Sequence, residues 1–179
     1  KKLKIIKKDI RDLNKKVFNG VDVIVHLANI ANDPSVELNP NLSWEVNVLG
    51  TKKLVEQAIE NNVGQFIFAS SGSVYGVKKE KKVTEDLSCL PISIYNKTKM
   101  VAERVLLSYS NDMVVQIVRP ATVCGYSPRM RLDLSVNILT RHAIKNKKIT
   151  VFGGSQVRPN VHIEDITDAY IHLLENRSI

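Results

Sequence analysis

A short apolar run closed by small polar residues decides the fold: residues 66–76 have the sequence FIFASSGSVYG. The run from Phe66 to Ala69 is typical of a buried strand, and the serines and glycine that follow end it. In an open α/β sheet, ligands bind beyond the carboxyl ends of the strands. Ser70 and Ser71 occupy that position, so we expect Ser71 to face a binding site. The alternative is a turn serine that bonds only its own backbone.

A helix is predicted downstream, where Tyr95 and Lys99 stand four residues apart and apolar residues at helical spacing continue to Leu107. Residues four apart are neighbours on one helix face, with about 5–6 Å between their Cβ atoms. A tyrosine with an ordinary pKa of about 10 is a poor base at neutral pH, but a neighbouring ammonium lowers that pKa. The pair can therefore carry a proton, although a Y-x-x-x-K spacing also occurs by chance.

Length and composition are ordinary for one globular domain. The chain has 179 residues, of which 44% are hydrophobic and 25% charged, and its net charge is +8. The excess charge lies in lysine clusters without interleaved aromatics, so we expect solvated surfaces and no nucleic-acid partner. Cys89 and Cys124 lack metal-ligand spacing, which predicts reduced thiols and no metal site. Without an apolar run of about 20 residues, we expect no membrane span and a cytoplasmic protein.

Alternating strand and helix patterns predict an α/β fold with a parallel sheet. The predicted strands cover residues 3–6, 21–28, 66–69, 113–120 and 149–152. The predicted helices cover residues 11–18, 40–60, 95–110, 134–145 and 163–174. The near-continuous apolar run of residues 21–28 is typical of a parallel strand covered on both faces. Within it we expect His26 to be a core histidine.

Several blocks of the sequence resemble one family, and they follow one another in the order in which that family carries them. The blocks are Asp9-Ile10-Arg11, residues 23–28 (VIVHLA), residues 47–51 (NVLGT), residues 68–76, Tyr95 with Lys99, Arg119-Pro120, residues 151–154 (VFGG) and residues 158–165 (RPNVHIED). Together they resemble the extended short-chain dehydrogenase/reductases of the NAD-dependent epimerase/dehydratase family, and the UDP-glucose 4-epimerase group in particular. The resemblance implies a Rossmann-like, doubly wound parallel sheet with the start of a small substrate lobe.

The resemblance implies a nucleotide-sugar epimerase with NAD as cofactor, acting at sugar C4 through a keto intermediate. Tyr95 would take the hydroxyl proton, Lys99 would lower the pKa of Tyr95 and bind the nicotinamide ribose, and Ser71 would bond the substrate oxygen. A keto-sugar reductase, a 4,6-dehydratase and a non-catalytic nucleotide-binding member of the family are the other interpretations. The implied cofactor-binding residues are Asp9, Ile10, Leu27, Ala28, Asn29, Asn47, Ser70, Tyr95 and Lys99.

Asp9 has a second interpretation, as the cap of the helix that follows it. The resemblance also implies a substrate site: Phe152 would stack on the nucleotide base, while Arg158 and Asn137 would bind the diphosphate. Ala31 departs from the pattern, because the 4-epimerases carry a cofactor-contacting lysine there.

Thr122 likewise replaces a sugar-contacting asparagine of the 4-epimerases. Two further features bear on the reaction and the assembly. The 4,6-dehydratases carry an acidic pair directly after the strand-end hydroxyl, where this chain has Gly72 and Ser73, so we expect epimerisation. The resemblance implies a homodimer formed by the helices around Trp44 and Met100.

The domain organisation is expected to be incomplete. Residues 1–125 would form a partial NAD-binding Rossmann domain, and residues 126–179 would supply substrate-lobe elements and the return to the Rossmann core. A dinucleotide-binding fold opens with a strand, a glycine-rich turn and a helix, and no G-x-G-x-x-G occurs in this sequence. We therefore interpret the sequence as an internal fragment whose first strand, turn and helix are missing.

Overall fold

A computed structural model of the protein describes residues 3–177. The chain divides into two compact units, one that runs to Arg119 and takes in Arg177, and one that spans Pro120–Asn176. Each unit has its own parallel sheet. The architecture is therefore α/β with parallel strands, as the sequence predicts.

Three parallel strands form the sheet of the first unit, in the order β1, β2, β3. They are β1 (Val23–His26), β2 (Gln65–Ala69) and β3 (Val114–Val118). The central strand β2 is buried from Gln65 to Phe68, because it has a hydrogen-bonded neighbour on each side. Strand β1 is less covered than its sequence predicts, since Val25 remains 37% exposed.

Helices connect the strands of this sheet and supply its core. Between β1 and β2 lie α1 (Asp33–Leu38), α2 (Pro40–Trp44), a π-helical segment (Glu45–Gly50) and α3 (Thr51–Glu60). Between β2 and β3 lies α4 (Ile94–Leu107). Apolar side chains of the sheet, α3 and α4 form one buried cluster with Phe18, Val63 and Met113: Leu54, Val55, Ala58, Phe66, Phe68, Ala102 and Leu106.

The second unit contains a smaller sheet and two helices. Strand β4 (Thr122–Cys124) pairs in parallel with β5 (Asn160–His162). Helix α5 (Ser135–Asn146) and helix α6 (Ile163–Glu175) belong to the same unit. Both helices lie close to their predicted positions, whereas the β4–β5 pairing was not predicted.

Two predicted strands are wrong. Residues 3–6 and residues 149–152 form no regular element, and Leu3 is 88% exposed. A strand is held by ladder hydrogen bonds to a neighbour, and neither segment pairs with a strand within residues 3–177. The predicted helix over residues 11–18 is instead two short 3-10 turns, Ile10–Asp12 and Lys15–Phe18.

Candidate active site

Helix α4 presents Tyr95 and Lys99 one turn apart, as their spacing predicts. The helix starts at Ser93, whose hydroxyl caps it by accepting a hydrogen bond from the backbone N–H of Asn96 at 3.2 Å. Lys99 Nζ lies 5.9 Å from the centre of the Tyr95 ring. The two side chains are therefore close enough for the ammonium to act on the tyrosine ring.

Lys99 is anchored at the carboxyl end of the central strand. Its side chain is only 3% exposed, and Nζ donates a 2.6 Å hydrogen bond to the carbonyl oxygen of Ala69, the last residue of β2. The ammonium also lies 4.7 Å from the centre of the Phe68 ring. Burial lowers the pKa of Lys99 to about 8, against an opposing contribution from the Glu103 carboxylate.

Ser71 is linked to α4 through two further side chains. Ser71 Oγ lies 2.7 Å from Ser73 Oγ, and Ser73 Oγ lies 2.5 Å from Asn96 Oδ1. Asn96 follows Tyr95 directly on α4. The end of β2 and the first turn of α4 therefore meet, and this contact brings Ser71 to the same site as Tyr95 and Lys99.

A buried ion pair lies behind these groups and was not anticipated from the sequence. Glu103 is 2% exposed, and its carboxylate accepts hydrogen bonds from Arg119 at 2.7, 3.1 and 3.2 Å. Glu103 also accepts a hydrogen bond from the Ser70 hydroxyl, and Arg119 donates to the Tyr75 hydroxyl at 2.7 Å. The hydrogen bonds to Glu103 raise the pKa of Arg119 above its ordinary value. This network holds the carboxyl end of β2 in place.

Asn47 joins the loop after β1 to α4. Its side chain accepts from Ile30 N at 2.8 Å and donates to Ile30 O and Thr98 Oγ1, each at 3.1 Å. Asn47 belongs to the π-helical segment, and such segments occur often at functional sites. The side chain thus positions the loop beside the Tyr95 helix.

His26 is a core histidine, as predicted. The ring is buried, and Nε2 lies 2.9 Å from Thr51 Oγ1. Burial and, to a smaller extent, the nearby charge of Lys99 lower the pKa of His26 to about 4. The imidazole is therefore neutral near pH 7.

The predicted cofactor-binding residues after β1 include one buried amide without a partner. Leu27 and Ala28 are exposed. The side-chain nitrogen and oxygen of Asn29 are buried and form no hydrogen bond within the described part of the chain. Buried polar atoms are normally paired, and a dinucleotide along this strand end would offer both donors and acceptors. The residues at this position therefore fit such a cofactor.

Asp9 and Ile10 lie on the segment that precedes β1. The Asp9 carboxylate accepts from Arg11 N at 2.8 Å, Nε at 3.0 Å and Nη2 at 2.9 Å. These side-chain and backbone hydrogen bonds from Arg11 lower the pKa of Asp9 to about 2. Asp9 is thus the N-cap of the first 3-10 turn, which confirms one of its two interpretations.

The three predicted substrate residues all lie in the second unit. Asn137 is on α5, where its amide donates to Arg131 O at 2.8 Å. Phe152 is 86% exposed, in the loop before β5, and Arg158 is exposed in the same loop. Phe152 is not the core aromatic that its apolar ring alone would suggest.

The described helices and side chains bear on membrane insertion and metal binding. Within residues 3–177, none of the helices combines the length and apolar character needed to cross a bilayer. In the same residues, no group of three or more His, Cys, Asp or Glu side chains could hold a metal ion. Cys89 and Cys124 form no disulfide in this structure.

Comparison with known proteins gives the class. The whole chain, residues 1–179, matches the model of the NAD dependent epimerase/dehydratase family. This protein therefore belongs to the NAD-dependent epimerase/dehydratase family, as the sequence predicts. It is 34% identical over 151 residues to the uncharacterized UDP-glucose epimerase YtcB of Bacillus subtilis, an alignment that covers 83% of this chain and 48% of that protein.

Solved structures of similar fold include enzymes with different reactions. The UDP-glucuronic acid 4-epimerase of Bacillus cereus, in complex with UDP-glucuronic acid and NAD, matches with a TM-score of 0.82 at 30% identity, over 96% of this chain and 55% of that chain. The NAD-dependent NDP-hexosamine 5,6-dehydratase TunA, involved in tunicamycin biosynthesis, matches with a TM-score of 0.85 at 25% identity, over 96% and 57%. The chain spans about half the length of these relatives.

Proposed function

We propose that the full-length protein is an NAD-dependent nucleotide-sugar epimerase that acts at sugar C4 through a keto intermediate. One observation carries the proposal, namely the meeting of three groups at the carboxyl end of β2. Ser71 follows that strand, Lys99 bonds its last carbonyl oxygen, and Tyr95 lies one turn before Lys99. The complex of a related 4-epimerase with UDP-glucuronic acid and NAD supports the class of substrate.

Tyr95 would remove the proton from the sugar hydroxyl. The Lys99 ammonium favours the phenolate that this step needs. Because the lysine is buried, little water screens its charge from the tyrosine. With a pKa of about 8, Lys99 is still mostly protonated at neutral pH.

Ser71 would hold the oxygen of the reacting hydroxyl. As the sugar carbon is oxidised, this oxygen becomes a carbonyl that can only accept hydrogen bonds. A hydroxyl held at the strand end can donate a hydrogen bond to it, and a donor aimed at the oxygen where charge develops stabilises the transition state.

NAD would supply the hydride chemistry when bound, by accepting a hydride from the sugar carbon and returning it. The residues proposed to hold it are Asp9, Ile10, Leu27, Ala28, Asn29, Asn47, Ser70, Tyr95 and Lys99. The unpartnered amide of Asn29 supports this placement. Within residues 3–177 the Asp9 carboxylate accepts side-chain hydrogen bonds from Arg11. A carboxylate has about four acceptor sites, so the remaining ones would serve a ligand.

The residues after Ser71 favour epimerisation over dehydration. Elimination of water needs an acid and a base, each typically worth about 10²–10⁴-fold in rate. Gly72 has no side chain, and the Ser73 hydroxyl contacts Ser71 and Asn96. Oxidation and reduction at one carbon need only Ser71, Tyr95 and Lys99. Reduction of a keto-sugar uses the same groups and is the second candidate.

The second unit is proposed to bind the nucleotide. Phe152 is open to stacking on a base because it is 86% exposed. Arg158 would bind the diphosphate through its planar guanidinium, and Asn137 would assist it. We further propose a homodimer through the helices around Trp44 and Met100, and light scattering that gives only monomer would contradict it.

Binding and product analysis test the proposal. The melting temperature of the full-length protein should rise with NAD and rise further with a nucleotide sugar, because ligands that bind the native state stabilise it. Retention on nucleic acid that weakens with salt would instead favour the basic binding module that the net charge allows. Conversion of a nucleotide hexose to its C4 epimer would support the proposed reaction, and a dehydrated product would contradict it.

A further inference from the structure

Ser71, Ser73 and Asn96 form a hydrogen-bonded chain in which Ser73 and Asn96 have no role in the proposed chemistry. The Ser71 and Ser73 hydroxyl oxygens lie 2.7 Å apart, and Ser73 Oγ lies 2.5 Å from the Asn96 amide. Ser71 Oγ also accepts from Ser73 N at 3.3 Å. The helix cap uses only the backbone N–H of Asn96, so the cap leaves its side-chain amide available to the chain.

The orientation of the amide sets the direction of every bond in this chain. A hydroxyl donates one proton, whereas an amide offers an acceptor oxygen at one end and donor hydrogens at the other. With Oδ1 facing Ser73, as placed here, Ser73 donates to Asn96 and Ser71 donates to Ser73. The Ser71 proton then points away from any ligand. Rotating the amide by a half-turn brings its nitrogen to Ser73 and reverses both bonds, which frees the Ser71 proton.

We propose that Asn96 is a positioning residue that, through Ser73, directs the Ser71 hydroxyl, and that its amide turns when a ligand oxygen accepts the Ser71 proton. The inference rests on the proposed function, because a keto-sugar carbonyl is the acceptor that needs this donor. Hydrogen bonds that run in one direction polarise and strengthen one another. The series from Asn96 through Ser73 to Ser71 therefore makes Ser71 a better donor than an isolated serine.

The test compares N96D with N96A in the full-length protein. At pH 8 the introduced carboxylate has only acceptors, which holds the chain in the direction that withholds the Ser71 proton. We expect N96D to lower kcat by about tenfold or more, with KM within about twofold, and N96A to lower it less. The carboxyl gains a proton only as the pH approaches the ordinary aspartate pKa of about 3.9, and it can then donate. The ratio of N96D to wild-type kcat should therefore rise as the pH is lowered from 8 toward 4.

A purely structural role for Asn96 would give a ratio that does not change with pH. Both proteins carry the same titratable groups on the elements that pack around this turn, so the ratio of their kcat values cancels them. These groups include Tyr95, Lys97, Lys99, Glu103 and Arg104 on α4, Tyr75 on the turn after Ser71, Asp33 and Glu37 on α1, and Glu45 on the π-helical segment.

S73A is the matched control, because it breaks the chain between Asn96 and Ser71. In the S73A background, N96D should cause no further loss of kcat. Equal kcat for N96D and wild type, or additive losses in the double variant, would overturn the inference. If the wild-type protein converts no nucleotide sugar, the proposed function fails separately. In that case thermal unfolding tests the hydrogen-bonded chain from Asn96 to Ser71. Non-additive changes in the free energy of unfolding of S73A, N96A and the double variant would support this chain, and additive changes would overturn it.

Discussion

Lys99 Nζ donates a 2.6 Å hydrogen bond to the carbonyl oxygen of Ala69, which ties the middle of α4 to the last residue of the central strand. This bond holds an ammonium in a nearly dry position beside Tyr95. Burial of the charge is unfavourable for folding, but it strengthens the effect of the charge on the tyrosine. Stability and the proposed chemistry therefore make opposite demands on the same side chain.

Replacing Lys99 by methionine should stabilise the protein at pH 7 while removing most turnover and weakening NAD binding. The pKa of Lys99 falls from 10.5 to about 8 on folding, which corresponds to roughly 3 kcal/mol of unfolding free energy. Loss of the bond to Ala69 offsets about 1 kcal/mol of that gain. Urea unfolding would measure the difference between K99M and wild type.

The pH dependence gives this prediction its control. The unfolded state holds the Lys99 proton more tightly, so wild-type stability rises between about pH 8 and pH 10.5 as the folded lysine loses its proton. The advantage of K99M should shrink over the same range. A variant that is less stable than wild type at every pH would contradict the role of burial.

Replacing Tyr95 by phenylalanine should remove nearly all turnover and leave NAD affinity close to that of wild type. The hydroxyl carries the proton, whereas the ring mainly fills space beside Lys99. Initial rates and calorimetric titration with NAD would measure the two effects. Retention of more than a small fraction of kcat would show that another group is the base.

Glu103 should be far more important for stability than an exposed glutamate on a neighbouring helix. E103Q leaves the Arg119 charge without its partner, and breaking a buried ion pair costs about 3–5 kcal/mol. E56Q is the matched control, because the pair of Glu56 with Lys52 is exposed and has the i,i+4 spacing. Such pairs contribute about 0.3–0.5 kcal/mol. Similar losses in the two variants, measured by chemical unfolding, would contradict the structural importance of Glu103.

His26 should destabilise the protein as the pH falls below neutrality. Its pKa is 6.5 ordinarily and about 4 in the folded state, so the unfolded state binds the proton more tightly. The contribution of neutral His26 to the free energy of unfolding is fully present above pH 6.5. It is lost as the pH falls to about 4, a decrease of roughly 3 kcal/mol. H26Q keeps a polar group near Thr51 and does not titrate. Parallel stability curves for wild type and H26Q over this range would exclude the effect.

The sequence predicted the local parts of the site well. Helical spacing alone makes Tyr95 and Lys99 neighbours. Ser71 lies just after its strand because the apolar run of the strand ends there. The partner of Glu103 could not be predicted, because Arg119 lies on the segment after another strand and the pair exists only once the sheet has formed. An inward-facing glutamate one turn after Lys99 was the signal that could have suggested it.

The wrong strand predictions have a similar cause. Residues 3–6 are as apolar as a typical strand, but a strand also needs a neighbouring backbone, and composition does not reveal one. The sequence also does not indicate the π-helical segment around Asn47, because the residues of this segment have ordinary helical patterning. In both cases the outcome depends on contacts between distant parts of the chain.

The most direct test of the central claim is the product formed from each member of a pair of C4-epimeric nucleotide hexoses. The full-length protein with NAD would be incubated separately with the two epimers, in the UDP, GDP and dTDP series, and followed by NMR. Epimerisation predicts that both reactions converge on the same mixture of the two sugars, without net consumption of cofactor. Accumulation of a 4-keto-6-deoxy sugar from either epimer would contradict the account.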